Sequence, residues 1–238
     1  EILQALELGG MNSMLIVVTC AIVGFVIGGF LITGLGLNVS SAIIAMSGGY
    51  FIVSLFLIGF ACILLGMGMN TVAAFILVSV VGTPALTSQG VDPLVANMFV
   101  FYFALLSHIT PPVCLAIFAG AQIAEANIWE TAWVGVKMSA VPYVLPFLVI
   151  FSPSLLLMGP SQQIVSDTLF TAIGLLLIIS AIQGWVVYKL NVPVRLLSLA
   201  AGASLIWPSA AVTMVGVAFA TVVLGHQTLQ HFAEKRRA

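Results

Sequence analysis

Charge is scarce in this chain: of 238 residues, 6 are Lys or Arg and 7 are Asp or Glu, 5% in all, against roughly a quarter in an ordinary water-soluble domain. So little charge excludes a protein solvated over its whole surface. The net charge of −1 excludes the basic footprint of a nucleic-acid-binding protein. Cysteine is also sparse, and Cys20, Cys62 and Cys114 stand singly in apolar sequence without metal-ligand spacing, which reads as small packing residues. Period-2 alternation is missing, which argues against a transmembrane β-barrel. No basic stretch lies between Glu1 and the first apolar run, so no signal peptide is recognisable, and a longer natural chain is anticipated.

What the chain has instead is hydrophobic length: 62% of its residues are apolar. A spanning helix needs about 20 of them in a row, because the bilayer core is about 30 Å thick and every backbone group there must be paired internally. Residues 12–32, 42–65, 131–151, 169–188 and 196–224 qualify, with shorter apolar pieces at 71–82 and 94–109. This predicts an all-α polytopic membrane protein of six to eight membrane elements in a lipid bilayer. Trp129, Trp133 and Tyr143 suit the membrane–water boundary. Lys189 and Arg195 precede the last apolar stretch while Lys235, Arg236 and Arg237 follow it, an awkward charge placement for one crossing. Trp207-Pro208 interrupts that stretch, so two half-length pieces turning back as a re-entrant hairpin and a single bent span are both open, with a cytoplasmic C-terminus preferred.

Glycine and proline punctuate the apolar runs. Gly24, Gly28, Gly29, Gly34 and Gly36 suit close helix packing, and Thr33 to Asn38 suits a helix end. Gly66-Met67-Gly68-Met69-Asn70-Thr71 is a poor helix, since each interior glycine costs about 1 kcal/mol and Asn and Thr compete for backbone hydrogen bonds. After the polar turn Thr87 to Pro93, a helix runs to Ser107-His108-Ile109-Thr110-Pro111-Pro112, where two prolines remove donors and force a second break. Irregular backbone at membrane depth must be buried in protein or line a cavity, and discontinuous helices are the usual pointer to a transporter's midplane site.

Unwound carbonyls and hydroxyls are hard oxygen ligands for a small cation, while the opposite half-helix ends suit an anion. The carboxylates Asp92, Glu125, Glu130 and Asp167 fall in predicted turns or at helix ends, which favours sodium over protons as the coupling ion. Asn70, Thr71 and His108 are candidates for substrate contact, or for satisfying stray backbone groups. Two other classes stay open. A channel or non-catalytic assembly subunit would explain glycine-rich packing but not the paired breaks. An intramembrane enzyme would use His108 or Cys114, although no carboxylate near His108 is evident to orient the imidazole.

The order Leu65-Gly66-Met67-Gly68, Pro84-Ala85-Leu86, Gly90-Val91, Met98 to Phe103 and Ile109-Thr110-Pro111-Pro112-Val113 resembles the tripartite ATP-independent periplasmic (TRAP) transporters, specifically the fused permease of the TAXI type. The likeness is dense over 33–158 and looser beyond, where Leu205 to Pro208 is similar to a terminal extension of that permease. It implies no enzyme and no cofactor, but an elevator-type, sodium-coupled permease in a bacterial or archaeal cytoplasmic (inner) membrane. A periplasmic substrate-binding protein would deliver a small organic anion. It further implies that this chain is the second of two inverted repeats, to be completed by a first repeat and a scaffold. On that basis 1–40 is the first membrane helix and connection, 41–158 the transport-domain repeat with two helix breaks, and 159–238 a C-terminal extension with a basic tail. By the same carry-over, oxygens at Gly66, Gly68, Ser107, Thr110 and Val113 make a sodium site. Related sequences commonly have proline where this one has Asn70.

Overall fold

The computed structural model describes residues 2–185, 190–207 and 212–223. Lys189, Pro208 and the basic tail 235–237 lie outside the described residues. Those described are helical with no β-strand among them, and the protein is an all-α polytopic membrane protein. Two stretches are long and apolar enough to cross a membrane, Ile128–Phe151 and Ser161–Gln183, and a third if one bent pair counts as a single span. The remaining apolar helices are shorter, as a broken-helix architecture requires. The chain divides into two compact units, Glu1–Val136 and Lys137–Ala238.

The first unit holds α1 (Ile2–Thr33), α2 (Leu35–Met46), α3 (Phe51–Gly66), α4 (Thr71–Thr87), α5 (Pro93–Leu106), α6 (Leu115–Ile123) and most of α7 (Ile128–Met138). Thr33-Gly34 is the hinge between α1 and α2, which meet at 71°. The apolar run 42–65 is not one span: Ser47 to Tyr50 is a turn with Gly48 and Gly49 at φ 61° and 82°. Those angles cost a residue with a Cβ, so the two glycines end α2 however apolar their neighbours are. Gly24, Gly28 and Gly29 also differ from expectation, since nothing lies within 4 Å of where their Cβ atoms would be, whereas Gly36 does pack, on Val80.

Helices α3, α4 and α5 form the core of this unit, with Leu55, Ile58, Val78, Val81, Val95, Phe99 and Val100 fully buried. Lipid tails are as apolar as these side chains, so contact rather than water exclusion must hold the helices together. Glycine provides the contact: a Cβ on Gly59 would lie 2.7 Å from the Phe103 ring, and one on Gly82 would lie 2.6 Å from Val100. Polar cross-ties add to it. Ser40 Oγ donates to the Val81 carbonyl at 2.7 Å, Ser54 Oγ to Gln89 Oε1 at 2.7 Å, and Thr83 Oγ1 to Asn97 Oδ1 at 3.0 Å. The turn before α5 forms as read, with Asp92 accepting the Leu94 N–H at 2.8 Å and Pro93 opening the helix.

The second unit contains α8 (Ala140–Phe151), a 3-10 turn (Pro153–Leu156), α9 (Ser161–Gln183), α10 (Val192–Ile206) and α11 (Val212–Val223). Helices α9 and α10 touch backbone to backbone where Gly202 faces Gly174: a Cβ on Gly202 would lie 2.6 Å from the Gly174 carbonyl oxygen. Arg195 ties the far end of the pair, donating from Nε to Ala181 O at 2.7 Å and from Nη2 to Ile182 O at 2.9 Å. These are carbonyls in the last turn of α9, which have no helical partner of their own.

Helices α10 and α11 turn back on each other. A Cβ on Gly216 would lie 2.8 Å from the Leu205 nitrogen, and Ala201 and Leu205 share a cluster with Ala220 and Val223. Of the two arrangements left open for the last apolar stretch, the hairpin is the one adopted.

Candidate functional site: two helix breaks brought together

The first break begins where α3 stops at Gly66. Met67 is extended at φ −62°, ψ 135°, and Gly68 follows at φ 79°, a left-handed conformation that glycine adopts without penalty. Asn70 is extended and caps α4, its Oδ1 accepting the Ala73 N–H at 2.9 Å, and Thr71 is the first residue of α4. The Asn70 oxygen is thus committed to a helix end.

The second break begins where α5 stops at Leu106. Ser107 Oγ donates to Ala104 O at 2.7 Å, and Thr110 Oγ1 donates to Leu106 O at 2.6 Å. The Ser107 hydroxyl thus turns back on the last turn of α5, and the Thr110 hydroxyl joins the Ile109 and Thr110 N–H groups on the Leu106 carbonyl. Pro111 and Pro112 follow, and Cys114, at φ 22°, leads into α6 with the Ala116 N–H on His108 O at 3.2 Å. Val113 is half-buried in the same loop.

The two breaks are one place. Ser107 Oγ lies 2.9 Å from where a Cβ on Gly66 would be, so the end of α5 rests on the end of α3. One residue on, His108 Nε2 lies 2.8 Å from Met69 O, while Nδ1 lies 3.1 Å from Ala104 O and 3.3 Å from Ser107 Oγ. The structure thus joins Gly66 with Ser107, and His108 with the stretch just before Asn70. Gly68 lies between those contacts with open space beside it, and Thr110 and Val113 follow in the second loop.

The electrostatics come from the backbone. The C-terminal ends of α3 and α5, each carrying partial negative charge, meet here, and the N-terminal end of α4, with partial positive charge, starts four residues past Gly68's neighbour Met67. Between Phe51 and Ala124 the sequence has one charged side chain, Asp92, at the opposite end of α5. Clustered helix carbonyl ends with no competing charge suit a small monovalent cation, and the α4 end suits an anionic group.

Sequence reasoning missed two features. The partner of His108 is the Met69 carbonyl, a main-chain atom 39 residues away that no residue type encodes. Asp167 lies in the second turn of α9 rather than at a helix end; Ser154 Oγ donates to its Oδ2 at 2.5 Å. It borders a cavity of about 480 Å³ in the second unit, with Phe151, Phe170, Trp207 and Met214 among its walls. The Ser152-Pro153 end of α8 and the Asp at a helix's second turn were the available signals.

Broken apolar helices whose ends meet are an arrangement found at the midplane of membrane transporters. The model of the tripartite ATP-independent periplasmic transporter family, DctM component, matches residues 1–164, and the chain belongs to that family. It is accordingly a TRAP-transporter membrane permease component, not an enzyme. No curated protein and no solved structure matches the chain.

Proposed function

We propose that this chain is the second inverted repeat of a sodium-coupled, binding-protein-dependent TRAP permease of the TAXI type. It acts in the elevator manner in a bacterial or archaeal cytoplasmic membrane, with a small organic anion as substrate. A periplasmic binding protein delivers that substrate, and a first repeat and a scaffold complete the membrane part. The carrying observation is the contact between the α3 and α5 ends at Gly66 and Ser107, which supports a sodium site made by oxygens of Gly66, Gly68, Ser107, Thr110 and Val113. The start of α4 at Asn70 and Thr71 offers the donors for a substrate carboxylate.

The test is uptake into proteoliposomes containing the full-length permease and its binding protein, under separate sodium and proton gradients. Thr110→Ala removes a hydroxyl from the second break and is expected to raise the sodium requirement about tenfold, the weight of a hydrogen bond or two at a charged ligand. An unchanged sodium response from folded Thr110→Ala would make Thr110 structural and the site misplaced. Asp167, half-buried within a helix long enough to span, favours a second reading in which protons drive transport. Uptake that ignores sodium, collapses with the proton gradient and is lost in Asp167→Asn would establish that reading instead.

A further inference from the structure

Ser107 and His108 are consecutive, and successive residues at a helix end point in directions roughly 100° apart. They therefore reach the first break at two separate points. Ser107 meets it at Gly66, where its Oγ stands 2.9 Å from the missing Cβ; His108 meets it at Met69, through Nε2 at 2.8 Å from the carbonyl oxygen. Between those points lie Met67 and Gly68, the extended and left-handed residues that carry the irregular backbone.

The Met69 carbonyl follows a non-helical stretch in an apolar protein, where an acceptor without a donor costs several kcal/mol. Since a carbonyl only accepts, the 2.8 Å contact needs the proton on Nε2. Nδ1, bare in the neutral ring, can then accept only from Ser107 Oγ at 3.3 Å, and the Ala104 carbonyl, 3.1 Å from Nδ1, competes with it for that hydroxyl proton. The imidazole is then spoken for at Nε2 by the first break, while its other edge lies against the end of α5 at Ala104 and Ser107.

We infer that His108 is a positioning residue rather than a substrate ligand: its Nε2–H clasps Met69 O and, with Ser107 on Gly66, pins the Met67-Gly68 segment at both ends so that its oxygens keep the spacing a cation needs. The clasp itself follows from the contacts above; its effect on sodium rests on the proposed coupling ion. The two are tested separately in the full-length permease reconstituted with its partner components.

The first measurement is amide hydrogen exchange over 66–72 in wild type, His108→Leu and His108→Gln. Leucine fills space without a donor, whereas glutamine carries an N–H at a similar reach. Exchange is expected to rise about fivefold in His108→Leu, the net weight of one hydrogen bond, and to return to the wild-type rate in His108→Gln. Wild-type exchange in a folded His108→Leu overturns the clasp whatever the coupling ion. Should the leucine variant not fold, His108→Asn, whose shorter amide falls short of Met69, takes its place, and wild-type exchange there overturns the clasp equally.

The second measurement is the sodium half-saturation for uptake. It is expected to rise in His108→Leu, with the maximal rate much less affected, and to recover in His108→Gln. A role confined to stability would lower the amount of folded protein and leave the half-saturation alone, and that result overturns the positioning role. A wild-type permease with no sodium response at all defeats the proposed coupling ion, while hydrogen exchange still decides the clasp.

Discussion

Asn70 shows how a single residue in a membrane break has two possible employers. Its Oδ1 accepts the Ala73 N–H, which would otherwise be one of the unpartnered donors at the start of α4. Asn70→Ala is expected to cost about 1 kcal/mol of stability, the usual loss for a removed N-cap, and Asn70→Asp to retain most of it. Thermal unfolding in detergent measures the first effect, and substrate affinity under the same conditions measures the alternative. Lowered affinity at unchanged stability would make Asn70 a ligand first and a cap second. The same residue marks what was legible at this scale. Glycine, asparagine and proline announced both breaks, because their backbone preferences are properties of the residue types themselves. The acceptor for His108 was not legible, because a carbonyl oxygen belongs to every residue and only the fold selects Met69.

At the scale of helices, the pair α9 and α10 rests on two glycines 28 positions apart. A side chain at Gly202 would meet the Gly174 carbonyl at 2.6 Å and the Ile178 side chain at 2.6 Å, and a carbonyl in a helix cannot move aside as a flexible side chain can. Gly202→Leu is therefore expected to separate the helices, at the 1–3 kcal/mol typical of overpacking or about that and more, seen as a lowered melting temperature and early elution from size exclusion. A wild-type melting temperature in Gly202→Leu would mean that α9 and α10 are not held at that crossing. Arg195 acts at the other end of the pair, and its fork on Ala181 and Ile182 explains how a guanidinium is tolerated in an apolar unit. Helix existence in this part of the chain was legible from apolar length. The division of 42–65 was legible too, in Gly48-Gly49, but an apolar count overrides two glycines unless their backbone angles are weighed separately.

At the scale of the whole molecule, the hairpin of α10 and α11 bears on topology. Because Leu205 meets Gly216 and Ala201 shares a cluster with Ala220 and Val223, Val223 returns to the end of the hairpin where α10 began. The start of α10 at Asn191 and the end of α11 then face the same side, which puts Arg195 near the side where the described part of the hairpin ends. The sequence left this open because Trp207-Pro208 suits a bend and a reversal alike, and it is the close approach of Gly216 that separates them. Single cysteines placed at the exposed positions Asn191 and Val222, in a full-length permease with Cys20, Cys62 and Cys114 replaced by alanine, are expected to react with a membrane-impermeant thiol reagent from the same face. With positive charge retained inside, that face is the cytoplasmic one, so labelling is expected in inside-out vesicles and not in intact cells. Labelling of the two positions from opposite faces would require α10 and α11 to cross the membrane as one bent span, with Gly216 drawn away from Leu205.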